Sequence, residues 1–296
     1  MTAEPAASTA DASRISLVVP RPAWAWSLTA LLAAGLFALA RGSDQGLAWH
    51  ARAAGIGFAG GFAGGMVAGA IGLIAIPLLV FGLGLPIHQA AATNLVQTAA
   101  TAGFGAWRHW RMRLLDLRNA SFVLGGSLVG APLGSWTSLQ MPADRLSLLF
   151  VAALVAAAAG MAWRAYRPKV RNDRQTHLAR NPGWKGLVLG VGLGFASGLL
   201  GVGAGFLVAP SLAAVLGLPL HLAVGTGLAV IAGNSVLASI PHFAAGQVQW
   251  LAAGFMAFGG AFGVRLGATL GRRTNERVLR TGMAVVLAAA AYSLLP

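Results

Sequence analysis

Two glycine-rich stretches hold the residues of this chain best suited to chemistry, and the chemistry is that of the backbone. Gly69-Ala70-Ile71-Gly72 and Gly201-Val202-Gly203-Ala204-Gly205 are each followed, five residues after the last glycine, by Pro77 or Pro210. Glycine adopts positive φ without steric penalty and lets main chain approach a ligand closely. Where such a stretch interrupts an apolar helix, the half-helix that follows presents free N–H groups and a positive dipole end, a setting that favours an anion. Hydroxyl and amide donors stand further on: Thr93, Asn94 and Gln97 after the first stretch, Thr226 and Asn234 after the second. These residue types either donate to bound oxygens or tie helices together. Arg265 is the only Lys or Arg in the interior of an apolar run, away from its ends. It either snorkels toward Arg272 and the surface or holds an anion bidentately on its way through.

The elements that position these residues read as membrane helices. Of the 296 residues, 57% are hydrophobic and 9% charged, against about 25% charged in a soluble protein. Mean hydropathy is +0.72. The net charge of +14 comes from cations in short segments between apolar runs. That distribution orients a polytopic membrane protein and argues against nucleic acid as a partner. The absence of cysteine removes thiolate nucleophiles, disulfides and thiolate metal sites. All seven acids lie in tails or connections or, for Asp116, in the first turn of a run, so no span interior offers a carboxylate for proton coupling.

A bilayer core about 30 Å thick takes roughly 20 helical residues. Seven runs have that length, near 23 to 40, 89 to 107, 114 to 138, 146 to 163, 222 to 243, 248 to 270 and 278 to 295. Two more, 53 to 83 and 186 to 216, are too long for one crossing, at about 46 Å each if helical throughout. Glycines break both near the middle, so each reads as two half-helices. Residues 1 to 22 are Ala, Ser, Thr and Pro-rich and are expected to be a disordered tail. Residues 23 to 51 are an extra span and its connection, retained rather than cleaved as a signal peptide. A basic linker, 164 to 185, separates a first repeat at 52 to 163 from a second at 186 to 296.

The repeat is carried by rare residues. An ungapped offset of 133 pairs Phe62 with Phe195, Gly72 with Gly205, Pro77 with Pro210, Pro86 with Pro219, His88 with His221, Thr93 with Thr226 and His109 with His242. In the next span it pairs Gly126, Gly130 and Gly134 with Gly259, Gly263 and Gly267, whose spacing of four reads as a helix-packing surface. Repeated membrane segments are typical of secondary transporters, whose site forms where the repeats meet. Lys and Arg collect on the cytoplasmic face. With the linker inside and both long runs treated as hairpins returning to the side they entered, 17 cations lie inside and three, Arg41, Arg52 and Arg145, outside. If each long run crossed once, the split would be 13 to seven. The fold class expected is therefore an all-α polytopic membrane protein of two inverted repeats, with about seven spans and two re-entrant half-helix hairpins.

The order of glycine-rich break, Pro, Gly-Leu-Pro, His and Thr-bearing helix occurs in full in GLLGVGAGFLVAPSLAAVLGLPLHLAVGT and with fewer tip glycines in GMVAGAIGLIAIPLLVFGLGLPIHQAAAT. This doubled pattern resembles the TauE/SafE family of sulfite and organosulfur-anion exporters over roughly residues 52 to 296. The resemblance implies a non-enzymatic, multi-pass exporter of the bacterial inner membrane, moving sulfite, a sulfonate or another sulfur oxyanion. The expected substrate-binding residues are Gly69, Gly72, Thr93, Asn94, Gly201, Gly203, Gly205, Thr226, Asn234 and Arg265, around an anion held between the two tips. No metal or cofactor is expected; the partners are the anion and the bilayer. An anion channel stays open as an alternative, as do direction, coupling ion and oligomeric state. A rival from another class is an intramembrane serine protease using Ser197 and His242, a pair that would need mutual hydrogen bonding and an oxyanion hole. Position 197 matches Gly64 in the first repeat, which marks Ser197 as part of a structural glycine-rich stretch.

In this Cys-free chain single cysteines report sidedness. Gln247→Cys is expected to react with a membrane-impermeant thiol reagent from outside intact cells, and Asp173→Cys only after permeabilisation. Labelling of Gln247→Cys from the cytoplasm alone overturns the inverted arrangement.

Overall fold

The computed structural model describes Leu36 and residues 46 to 66, 71 to 166 and 183 to 294, and every regular element among them is an α-helix. The expected tail at 1 to 22, the expected span at 23 to 40 apart from Leu36, Gly69 and most of the basic linker lie outside the described residues. Ten helices follow one another: α1 (Leu47–Met66), α2 (Ile71–Leu83), α3 (Ile87–Arg111), α4 (Leu117–Gln140), α5 (Ala143–Tyr166), α6 (Gly183–Leu200), α7 (Gly205–Val215), α8 (Leu220–Ala244), α9 (Trp250–Arg273) and α10 (Glu276–Ser293). Both over-long runs are thus two helices each, α1 with α2 and α6 with α7. The prolines of the two Gly-Leu-Pro turns cap α3 and α8 with extended backbone, where a missing N–H costs nothing.

The offset of 133 reappears in the helix boundaries: α3 maps onto α8 and α4 onto α9 at both ends. By length and composition, four of the described helices can cross a membrane: residues 143 to 163 of α5, α6, residues 222 to 244 of α8 and residues 250 to 271 of α9. The expectation of seven spans is not reproduced by that measure. α3 and α4 fall short because, although 25 and 24 residues long, they carry buried polar faces that lower their hydropathy; the apolar part of α10, residues 278 to 293, is too short, and α6, expected as one arm of a hairpin, is instead among the four. Facing inward, Thr93, Asn94, Gln97, Thr98 and Thr101 are buried on α3, and Ser127, Ser135 and Ser138 on α4.

Contacts at small residues fix the helix directions. Gly60 meets Ala75 and Gly64 meets Ile71, so α1 and α2 are antiparallel; Gly203 meets Ile231 and Gly227 meets Val208, so α7 and α8 are too. The central pair, α3 and α8, is also antiparallel, with Gly103 against Ala232, Gly105 against Leu228 and Gly225 against His109. In contrast, α4 runs parallel to both α6 and α8, since Gly130 and Gly134 face Val191 and Phe195, and Gly233 and Gly225 face Leu124 and Leu114. Because α6 runs with α8 and α7 against it, α6 and α7 form a hairpin, as α1 and α2 do.

The two tightest interfaces join the repeats crosswise, α1 to α9 and α4 to α6. A Cβ on Gly126, Gly130 or Gly134 would land on the carbonyls of Leu187, Val191 and Phe195. Matching carbonyls of Ala54, Phe58 and Phe62 stand over Gly259, Gly263 and Gly267. Each partner helix returns the arrangement with its own glycines, Gly190, Gly194 and Gly198 on α6 and Gly57, Gly61 and Gly65 on α1. The packing role expected for the spaced glycines is what the structure shows. Backbone cannot yield as a side chain can, so overpacking here costs at least the usual ~1–3 kcal/mol. Gly130→Leu and Gly263→Leu are expected to lower the yield of monodisperse protein and its thermal midpoint. Gly55→Ala and Gly192→Ala, where a Cβ meets nothing within 4 Å, should leave both unchanged.

Candidate functional site at the second helix break

Between α6 and α7 the chain leaves helical geometry for four residues. Gly201 and Gly203 have φ of 68° and 74°, and Ala204 follows at 51° as the N-cap of α7 without any side-chain cap. Alanine tolerates this left-handed backbone poorly, so the turn is held by its surroundings. Those surroundings are α3 and α8. Asn94 Nδ2 donates to the Gly201 carbonyl at 2.7 Å, satisfying one acceptor released by the break. A Cβ on Gly203 would stand 2.8 Å from Ser235 Oγ and 2.9 Å from Thr98 Cγ2, and one on Gly201 would overlap Ala91. Both positive φ and close approach therefore call for glycine at these two positions.

The donors at the break outnumber their partners. Among the described residues, the backbone N–H groups of residues 202 to 206 donate to no backbone carbonyl, whereas Leu207 and Val208 both donate to Ala204. The hydroxyls of Thr98 and Ser235 are buried without a hydrogen-bond partner, as are Asn94 Oδ1, Gln97 Oε1 and both amide atoms of Asn234. An unpaired buried polar group costs about 1–3 kcal/mol. The free main-chain N–H groups and the Thr98 and Ser235 hydroxyls beside the uncapped start of a half-helix are donors suited to a ligand rich in acceptors.

Not every expected residue meets there. Gly201, Gly203, Gly205 and Asn94 form or hold the break, and Gly72, the second residue of α2, touches it: a Cβ on Gly72 would lie 2.6 Å from the Val202 carbonyl oxygen and 2.7 Å from Asn94 Nδ2. The start of α2 therefore touches the break between α6 and α7, and Gly69 lies outside the described residues. Thr93 and Thr226 do not converge. Thr93 Oγ1 accepts from Gln249 N at 3.2 Å and Thr226 Oγ1 from Asp116 N at 3.0 Å. These are matching bonds at opposite ends of the α3 and α8 pair, roughly 24 Å apart by the helical rise. Each threonine ties the entry of a helix in the other repeat. Arg265 is exposed, with its guanidinium 5.8 Å from the Phe104 ring centre. Ser197 and His242 are both buried, yet no hydrogen bond joins them. Thr98 and Ser235 went unnoticed in the sequence; Thr98 follows Asn94 by one helical turn, so helical spacing alone would have placed it on the same face, whereas Ser235 is turned about 100° from its neighbour Asn234 and carried no such signal.

A family model described as sulfite exporter TauE/SafE matches residues 53–294. Among curated proteins, a "Probable membrane transporter protein" of Xylella fastidiosa (strain 9a5c) is 29% identical over 78% of this chain and 90% of its own length. The "Probable membrane transporter protein YdhB" of Bacillus subtilis (strain 168) is 28% identical over 77% and 92%. A third, from Haemophilus influenzae, is 29% identical over 76% and 86%. No solved structure matches the chain.

Gly203→Ala introduces both backbone strain and a clash, and should reduce anion flux in vesicles by about a hundredfold or more if the site is there. Thr98→Val and Ser235→Ala remove single hydroxyls and should each raise the half-saturating anion concentration about 3- to 30-fold. Arg265→Gln should match wild type in both measurements.

Proposed function

The chain belongs to the sulfite exporter TauE/SafE family, and from that premise we propose that it carries a small oxyanion, of the sulfite, sulfonate or other sulfur-oxyanion class, outward through the break between α6 and α7. Membership makes it part of a membrane transporter family and a multi-pass membrane protein. The observation that carries the anion reading is the uncapped start of α7 with Thr98 and Ser235 buried and unpartnered beside it. Main-chain N–H groups and two hydroxyls replace the hydration of the anion. Asn94 meanwhile occupies the Gly201 carbonyl, so that acceptor does not oppose the charge. No fixed cation is required, and a site without one releases its anion more readily.

The inverted arrangement is supported by the central pair. α3 and α8 are equivalent at the offset of 133 and run antiparallel. A two-fold axis relating antiparallel helices is perpendicular to both; when both cross the bilayer, that axis lies in its plane, which is the inverted relation of many transporters. The hairpins α1–α2 and α6–α7 then enter from opposite faces and meet at Gly72 and Val202. The described α3 and α4 join the spans when their polar faces turn inward, since backbone and side-chain donors are tolerated at membrane depth where they line protein or a cavity. An enzymatic reading lacks the Ser197 to His242 contact it needs.

Reconstituted vesicles loaded separately with sulfite, thiosulfate, taurine and sulfoacetate test this reading. One or more of the anions should leave at a saturable rate that the Gly203→Ala protein lacks. Equal leakage from vesicles with and without protein, for all four, overturns it; a rate that never saturates identifies a channel.

A further inference from the structure

Beside the break lies another set of buried side chains that the site above does not use. His242, near the end of α8, has no exposed surface, and neither ring nitrogen has a hydrogen-bond partner. The hydroxyls of Ser197 on α6 and Ser138 on α4 are equally buried and equally unpartnered. His88, at the start of α3, is half-buried with an unpartnered buried Nδ1. These groups share one end of the molecule. His242 lies within electrostatic reach of His88 and against the backbone of Gly198. Ser135 donates to the Ala238 carbonyl at 2.7 Å, and a Cβ on Gly198 would lie 2.7 Å from Ser135 Oγ. Because α4, α6 and α8 run in the same direction, Ser138 one turn beyond Ser135 and His242 one turn beyond Ala238 come level with one another, and Ser197, level with Gly134, lies about one turn below them.

We propose that His242, Ser138, Ser197 and His88 form a second anion site at one mouth of the pathway, filled when His242 is protonated. The proposal rests on the reading of the chain as an anion transporter. Two serine hydroxyls and the imidazole N–H groups are donors suited to an oxyanion. A neutral imidazole, however, turns one lone pair toward its surroundings. Taking one proton from water onto that nitrogen forms an N–H bond, makes both ring nitrogens donors and adds the charge an anion needs, and the arriving anion's own charge favours that uptake. One N–H can then meet the Gly198 carbonyl while the other faces the anion.

The remaining ionisable groups at this end leave the countercharge to the anion. From α3 the neighbour is His88 itself. The faces of α4, α6 and α8 around His242 carry no acid or base other than His242. Asp144 and Arg145, at the start of α5, and Arg52 on α1 are exposed. His50 on α1 is buried, with Nδ1 3.2 Å from the Gly46 carbonyl. The site occurs once: the matching His109 has Nδ1 2.9 Å from the Gly105 carbonyl, and glycines Gly64 and Gly271 hold the positions that match Ser197 and Ser138.

Thiosulfate, whose charge is constant from pH 5 to 8, is the probe. In vesicles, wild type should move it about tenfold faster at pH 5.5 than at pH 8, and His242→Gln should flatten that ratio to about one while His109→Gln preserves it. In lightly buffered detergent at pH 7, adding thiosulfate should draw up to about one proton per wild-type chain from solution, and none with His242→Gln. A wild-type pH ratio and proton uptake in folded His242→Gln protein overturn the proposal. Should that variant fail to fold, the Ser138→Ala, Ser197→Ala double variant decides: proton uptake and half-saturation equal to wild type also overturn it. Wild type that moves no anion at either pH overturns the transport reading itself, a result distinct from transport that is merely indifferent to pH.

Discussion

Close contact between glycines and opposing carbonyls is the constraint from which the rest of the architecture follows. Within a bilayer apolar side chains gain little by meeting each other instead of lipid, so helices associate where backbones can come near. Here the first helix of each repeat is pressed against the fourth helix of the other, α1 on α9 and α6 on α4, with glycines from both sides at successive turns. Neither repeat completes these interfaces alone. The crosswise exchange brackets α3 and α8 between the two locked pairs and gives those helices polar inner faces shielded from lipid. Without such shielding, Asn94, Gln97, Thr98 and Asn234 would cost more than any helix could offset.

The broken backbone is stable for a related reason. Breaking a helix at membrane depth frees carbonyls as well as N–H groups, and a carbonyl facing an incoming anion would oppose it. Asn94 removes that conflict at the second tip by donating to Gly201. Its counterpart in the other repeat is Gly227, which has no side-chain amide to donate. The two hairpins are thus unequal in chemistry despite their shared offset. Gly72 contributes by being small enough for Val202 and Asn94 to close over it, a packing role at the meeting of the hairpins.

Much of this was legible in the sequence because it is written in rare residues at fixed spacing. The paired prolines, the Gly-Leu-Pro turns and the glycines four apart located the helix ends, both breaks and the packing surfaces. Thr93 and Thr226 were harder. Their partners, Gln249 and Asp116, lie 156 and 110 residues away in the other repeat, and nothing local distinguishes a hydroxyl that ties a helix entry from one that binds a ligand. Arg265 shows the limit of counting spans without phase: a cation inside an apolar run is still at the surface if its helical face is. The polar faces of α3 and α4 were likewise hidden in an average, since a helix that buries serine and threonine against protein need not be apolar overall.

The same glycine contacts restrict how the tips can open. A hinge between the two repeats would have to separate α1 from α9 and α6 from α4, breaking backbone contacts that leave no room for adjustment. Motion that keeps these pairs intact moves helices of both repeats together. What remains free to shift is the set of side-chain contacts, such as Val208 against Gly227 on α7 and α8, or Leu228 against Gly105 on α3 and α8. Ordinary van der Waals surfaces slide at low cost, whereas glycine-to-carbonyl contacts do not. The short half-helix α7, 11 residues long, meets α8 through such contacts. Its first turn carries the unpaired N–H groups, so a small movement of α7 is enough to change what those donors face.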